Sequence, residues 1–399
     1  MNKNIISVIG CVAVIFLPGA LVFGYPGLMG VYWQEKLNVT QGQVSNSMFF
    51  ILFALGLGAF YIGKLHKKIS TRLIATIGTI VCGVSLLVAA FATSIFMVYL
   101  WAFLMGIGSS LIYTPVLTAV QKNYPTKPGL VTGLVNFSFG ISAAIMSPVF
   151  SAMLIKYDYF SMNLIVFTLT LTVGIIVALF IRDENTAEFA KQNIGSINKG
   201  HSLSLQQALK SKEFWMFWST WAFQGAVGIS MISLAVVFGM NKGFDATLAI
   251  LVLTAFNLTN GFSRIISGIL SDYIPRNLLM SLTFALSGLA YIALPQVNSI
   301  IVICILVSII GFAFGTLFAC SAPLATECFG LQNFGLIFGY LFTGYGFAAG
   351  ILGPSISGFL IDQTSHNFII VFGYLSILSL LSAIMIYFVN PRKMKPSTN

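Results

Sequence analysis

The sequence predicts an all-α membrane protein, with twelve transmembrane helices arranged as two six-helix pseudo-repeated bundles. Three observations predict it. Of the 399 residues, 57% are hydrophobic and 8% charged, whereas a domain that faces water carries roughly 25% charged residues. The apolar residues fall into runs close to the about 20 residues that cross a bilayer. The second half of the chain also repeats glycines and a proline of the first at a near-constant offset.

The expected helices are 5–30, 44–64, 73–92, 96–120, 129–155 and 161–181, then 214–240, 247–270, 277–296, 299–326, 334–361 and 367–389. The first follows Lys3. It is long and lacks a small-residue cleavage site, so it reads as a retained helix and not as a removed leader. The second stops at Lys64, and the third starts just past Arg72. Lys122 and Lys127 separate the fourth from the fifth, and Arg182 closes the sixth. The long polar stretch 182–213 divides the chain into a six-helix unit at 1–181, a cytoplasmic central loop and a second six-helix unit at 214–399. Arg276 opens the ninth helix, and Arg392, Lys393 and Lys395 follow the twelfth.

Basic residues set the orientation, because they concentrate on the cytoplasmic side of a membrane protein. With the N-terminus inside, Lys3, Lys64, Lys67, Lys68, Arg72, Lys122, Lys127, Arg182, Lys191, Lys199, Lys210, Lys212, Arg276, Arg392, Lys393 and Lys395 fall on the inner side. Only Lys36, Lys156 and Lys242 fall outside. Both termini are therefore expected in the cytoplasm, and the composition suits a bacterial inner membrane. The net charge of +10 is no nucleic-acid signal, since these lysines border apolar runs and form no basic patch on a polar surface. The five cysteines are irregularly spaced in apolar stretches and read as small buried hydrophobes.

The repeat is specific. Gly129, Gly133, Gly140 and Pro148 recur 206 residues later as Gly335, Gly339, Gly346 and Pro354. Gly63, Leu65 and Gly106 recur 205 residues later as Gly268, Leu270 and Gly311. Each half has an even number of helices, so both insert in the same sense. They are related by an axis along the membrane normal, with a site expected near the midplane between them.

Sorting charges by depth singles out Arg264, about two turns or roughly 10 Å inside the end of the eighth helix. A charge at that depth costs about 3 kcal/mol or several times more unless it meets water or a partner. Asn257, Asn260, Arg264, Ser267 and Ser271 recur at three- and four-residue steps and share one face. Leu253, Phe256, Leu258, Phe262, Ile265, Ile266 and Ile269 give the rest of the helix an apolar surface. Two readings follow. Arg264 holds an anion in a cavity, its planar fork matching a carboxylate with two bonds and Asn260 adding a donor. Otherwise it is tied to backbone carbonyls or to a loop carboxylate such as Asp272 or Glu327. Asn136, Gln224 and Tyr345 are further candidates to line the cavity, though each also suits an inter-helix hydrogen bond. His66, His201 and His366 are loop residues without partners at ligand spacing. No metal set, cofactor motif or nucleophile–base arrangement is present in the sequence, so enzyme chemistry has no support.

The chain resembles the major facilitator superfamily. The loop Gly268-Ile-Leu-Ser-Asp272-Tyr-Ile-Pro-Arg276 is similar to that superfamily's gating loop, and the matching loop Gly63-Lys-Leu-His-Lys67 departs from it, with lysine where the aspartate belongs. Other segments resemble the oxalate:formate antiporters and the related monocarboxylate transporters. These are Asn260-Gly-Phe-Ser-Arg264, Tyr113-Thr-Pro115, Lys122-Asn-Tyr-Pro125, Lys212-Glu-Phe-Trp215, Glu327-Cys-Phe-Gly330 and Phe342-Thr-Gly-Tyr345-Gly346. The resemblance implies a carrier that rocks two bundles about a midplane site, with Arg264 as substrate anchor and Tyr113 as a carboxylate contact. The oxalate:formate antiporters carry a lysine where this chain has Tyr345, so a small monocarboxylate of the lactate, pyruvate or formate class is expected over oxalate. The animal monocarboxylate transporters carry an aspartate where this chain has Asn260, and a lysine in the first helix, where the nearest here, Lys36, lies beyond the expected end. Protons therefore enter by another route or the protein exchanges anions. The expected partners are a small organic anion and the lipid bilayer, with a co-transported proton under the first of those routes; a monomer is expected. A carrier for drugs or organic cations, a non-transporting membrane sensor and a channel are the weaker alternatives. A cation carrier would want a carboxylate in the helix cores, and nothing resembles a selectivity filter.

Overall fold

The structure, a computed structural model, describes residues 3–65, 69–123, 128–182, 202–330 and 333–391. Twelve of its helices are long and apolar enough to cross a membrane. They are α1 (Ile5–Leu37), α2 (Gln41–Leu65), α3 (Thr71–Ala90), α4 (Ile95–Asn123), α5 (Pro128–Lys156) and α6 (Tyr159–Ala178) in the first half. The second half has α7 (Lys212–Asn241), α8 (Ala246–Leu270), α9 (Arg276–Ala293), α10 (Ile300–Phe329), α11 (Phe334–Gln363) and α12 (Phe368–Phe388). His66, Lys67, Lys68, Pro125, Lys127, most of the central loop with Lys191, Lys199 and His201, and the tail residues Arg392, Lys393 and Lys395 lie outside the described residues.

The boundaries differ from expectation mainly in α1. It continues to Leu37, past the end of the hydrophobic run, and stops where Asn38 takes a left-handed conformation at φ 52°. Asparagine tolerates that conformation as a helix cap. Lys36 is therefore in the last turn of α1 and not beyond it, and it is exposed. Helix α1 breaks at Ile15 and Gly24, beside Pro18 and Pro26. Each proline removes a backbone donor and crowds the preceding turn. The end of the central stretch is also ordered. Ser204 caps a short helix, Leu205–Lys210, and Leu203 is pinned between α10 and α11 by bonds to Phe329 O at 2.9 Å and from Asn333 Nδ2 at 2.8 Å.

The repeat legible in the sequence is also a repeat of contacts. Glycines matter here because a side chain would collide with the partner backbone. A Cβ on Gly140 of α5 would lie 3.0 Å from Gly261 Cα of α8. The equivalent positions, Gly346 of α11 and Gly56 of α2, face each other in the same way, with 3.0 Å from a Gly56 Cβ to Gly346 Cα. Gly106 packs on the backbone of Ile51, as Gly311 packs on that of Phe256. Gly58 sits against Ser110, while in the second half Ser263 sits against Gly315, so the small and larger residues have changed places. Helices α1 and α7 meet at Gly27 and Ile232, themselves equivalent positions, which puts the pseudo-axis between them.

The two bundles touch at one end and part at the other. Away from the termini, Gly42 N–H donates to Asp362 Oδ2 at 2.9 Å and Gln41 Nε2 donates to Ser233 O at 3.3 Å, both across the bundles. A Cβ on Gly358 would lie 2.8 Å from Gly42 Cα. Toward the terminal end, Gly133, Gly268 and Gly339 lie seven residues from Gly140, Gly261 and Gly346 and so on the same faces. A Cβ on any of the three would meet nothing within 4 Å. The α5–α8 and α2–α11 pairs thus diverge toward the end that carries the termini.

Candidate functional site

Arg264 lies where α5 and α8 begin to part. Its neighbour Gly261 still touches α5, while Gly268, one turn on, does not. Gly140 makes room for it, since a Cβ there would come within 3.1 Å of Arg264 Nε. The side chain is 3% exposed. Nη1 donates to Asn136 O at 3.0 Å and Nη2 to Asn260 Oδ1 at 3.4 Å. Nε has no partner. The guanidinium carbon stands 4.6 Å from the centre of the Phe318 ring and 6.0 Å from that of Phe139. A cation over an aromatic face in a desolvated setting gains about 2 kcal/mol. The Arg264 charge also lies within electrostatic reach of Tyr113 and Tyr345.

Among the described residues no carboxylate pairs with Arg264. The loop acids named as possible anchors are engaged elsewhere. Arg276 lies 3.6 Å from Asp272 and bonds Glu327, tying the ends of α8, α9 and α10 together at the surface. Gly268 lies in the last turn of α8, just before this cluster in the chain, and Gly63 lies in the last turn of α2. The other buried charge among the described residues is Glu213, 6% exposed in the first turn of α7, which makes no ion pair there.

Several residues proposed from sequence converge on Arg264. Asn136 of α5 bridges it to α4, giving its backbone oxygen to Arg264 while Oδ1 accepts from Tyr113 Oη at 2.5 Å. Asn257 and Asn260 of α8 are fully buried one turn apart. Tyr345 is 2% exposed and ringed by Trp221, Phe318 and Phe342 at centroid distances of 5.7, 5.4 and 5.3 Å. It sits in a π-helical stretch, Gly344–Ala349, with a second at Ile351–Ser355 around Pro354. Pro354 cannot bond Gly350 O, and Ser355 Oγ takes that carbonyl at 3.1 Å. Such widened turns collect at functional positions.

Gln224 takes the second of its two readings, an inter-helix hydrogen bond. Its Oε1 accepts from Ser379 Oγ of α12 at 3.0 Å, inside the second bundle. Leu253 and Phe256 are not on the outer surface of α8. Both are fully buried, against Gly27 and against Phe314 respectively, because α8 contacts α1 and α10 as well as α5. Leu258, Phe262, Ile266 and Ile269 do form the exposed apolar face. Sequence reading missed Phe139 and Phe318, which have no local signal, and the clearance role of Gly140, whose signal was its place in the repeat.

Two pseudo-equivalent six-helix bundles, closed at one end and parted at the other over Arg264, the single buried cation among the described residues, make a polytopic membrane protein with a central site. The chain belongs to the Major Facilitator Superfamily, whose sequence model matches residues 11–250 and 225–399. Monocarboxylate transporter 13 of Rattus norvegicus is 25% identical over 88% of this chain and 82% of its own length. The oxalate:formate antiporter of Oxalobacter formigenes is 23% identical over 73% of this chain and 69% of its own. A bacterial homolog to the human lysosomal transporter Spinster, solved in an inward-facing and occupied conformation, superposes with a TM-score of 0.76. At 14% identity over 99% of this chain and 98% of that one, it bears on the fold alone.

Proposed function

We propose that this chain carries small monocarboxylate anions across a bacterial inner membrane by alternating access, with Arg264 binding the carboxylate. One observation carries the reading. Arg264 is buried, has no carboxylate partner among the described residues, and keeps Nε free at the point where the bundles part. A permanently charged group in that position is stabilised when an anion arrives. The similarity to monocarboxylate and oxalate:formate carriers supports the same substrate class.

The charge balance favours one carboxylate over two. Tyr345 presents a neutral hydroxyl, and Arg264 is the one buried cation among the described residues. A dianion such as oxalate would leave one charge uncompensated. The carrier acts as two units, 1–181 and 214–399, joined by a cytoplasmic stretch at 182–213. Both termini are cytoplasmic, and a monomer suffices. No enzymatic step is involved.

The test is uptake of labelled lactate and formate into proteoliposomes holding the wild type or Arg264→Ala, with and without an internal anion and a pH gradient. Wild-type uptake that Arg264→Ala abolishes is expected. The dependence on internal anion or on the gradient then separates exchange from proton symport. Uptake unimpaired by Arg264→Ala overturns the role of Arg264, and oxalate flux equal to lactate flux overturns the monocarboxylate preference.

A further inference from the structure

Fourteen buried polar atoms among the described residues lack a hydrogen-bond partner, and five of them fall on Arg264, Tyr345 and the two asparagines of the same α8 face. Arg264 Nε, Asn260 Nδ2, Tyr345 Oη and both amide atoms of Asn257 lack any hydrogen-bond partner. Native proteins leave few such groups, and a cluster of them needs an explanation. Packing does not supply one. The equivalents of Asn257, Asn260 and Arg264 in the first half, 205 residues earlier, are Leu52, Leu55 and Ala59. Leu52 and Leu55 are buried as well. The fold therefore fills these positions with apolar side chains when nothing has to be recognised.

The free atoms divide by chemistry. Arg264 Nε, Asn260 Nδ2 and the Tyr345 hydroxyl are three donors, a set that one carboxylate with its several lone pairs can satisfy. Asn257 differs in leaving two separate atoms open, the donor Nδ2 and the acceptor Oδ1. It lies three residues from Asn260, about 4.5 Å further along α8 and away from the open end. A partner for it must both accept and donate. A hydroxyl does both, a ketone only accepts, and a methylene does neither.

We propose that Asn257 reads an uncharged hydroxyl of the substrate, so that a 2- or 3-hydroxy monocarboxylate is preferred over an oxo acid or an unsubstituted acid of the same length. The inference rests on the carboxylate reading of Arg264 and narrows it. Asn257 is a specificity-determining residue in this scheme, and Arg264 remains the anchor.

The three-carbon acids lactate, pyruvate and propionate test it, since they share a carboxylate and differ at one carbon. Labelled uptake into proteoliposomes is measured for each as a ratio. The wild type should prefer lactate to propionate about tenfold, the scale of one or two neutral hydrogen bonds, with pyruvate between them. Asn257→Leu, which installs the residue of the first half, should bring the three within about twofold. Should the leucine variant fail to insert, Asn257→Ser gives the second measurement and should reduce the ratio. Equal uptake of the three acids by the wild type, or a lactate preference that survives Asn257→Leu, overturns the role of Asn257 and leaves the carboxylate carrier standing. Uptake of none of the three overturns the carboxylate reading and this inference with it.

Discussion

Helices α2 and α8 are the same element built twice, and their difference locates the chemistry. Both set a glycine against a glycine of the opposite bundle, Gly56 on Gly346 and Gly261 on Gly140. Both pack a backbone carbonyl onto a glycine of their own bundle, Ile51 on Gly106 and Phe256 on Gly311. On the face toward the other bundle, however, α2 carries Leu52, Leu55 and Ala59, and α8 carries Asn257, Asn260 and Arg264. The shared features are those that let two helices approach closely. The unshared ones cost free energy to bury and do nothing for packing. A duplicated frame thus separates what the fold requires from what the proposed substrate site adds.

The largest expected effect comes from erasing the difference. Losing one partner of a buried charge pair costs about 2–5 kcal/mol or more, so Arg264→Ala should lower uptake at least thirtyfold at saturating labelled acid. Moving the arginine to the equivalent place, Arg264→Ala with Ala59→Arg, should not restore uptake, because Leu52 and Leu55 offer no polar partners. Rescue by the double variant would show that the charge alone, and not the α8 face, makes the site.

The next effect probes the two glycine crossings. Overpacking a close contact costs about 1–3 kcal/mol. Gly140→Ala pushes against Arg264 Nε and should raise the KM for the carried acid severalfold. Gly56→Ala meets Gly346 and Phe347 but no charged group. It should lower the thermal midpoint and leave KM near the wild-type value. Equal KM changes in both would break the distinction between frame and site.

A smaller effect belongs to the closed end. Gly42 N–H is an orphan donor in the first turn of α2, and Asp362 of the opposite bundle satisfies it. Asp362→Ala removes a bond worth about 1 kcal/mol and should raise the labelling rate of a cysteine placed at Ser233 by a water-soluble thiol reagent. An unchanged rate would mean that the glycine contacts alone hold that end shut.

The smallest effect serves as a control far from both crossings. Asp158 caps α6, accepting from Ser161 N at 2.8 Å and Ser161 Oγ at 2.7 Å. The Ser161 N–H chiefly holds its carboxyl below the usual range. With the folded value depressed, the cap contributes above the ordinary carboxylate range, and the contribution disappears as pH falls through the depressed value. Asp158→Ala should lower the midpoint slightly at neutral pH and less in acid, without altering substrate preference.

The sequence by itself determined the number of spans and the repeat. It also determined the one charge out of place, because hydrophobic length, glycine spacing and the cost of a buried arginine are all written along a single chain. Even so, α1 outran its apolar run by most of two turns, because a helix ends at a cap such as Asn38 and not where hydrophobicity stops. Only the tertiary structure decided which polar residues gather at Arg264. Asn136 and Gln224 look alike in sequence, each a lone amide in an apolar helix. One bonds Tyr113 beside the arginine and the other bonds Ser379 inside its own bundle. Phe139 and Phe318 meet Arg264 from two bundles. Helical periodicity says which residues share a face, but which helix that face meets depends on contacts hundreds of residues apart in the chain.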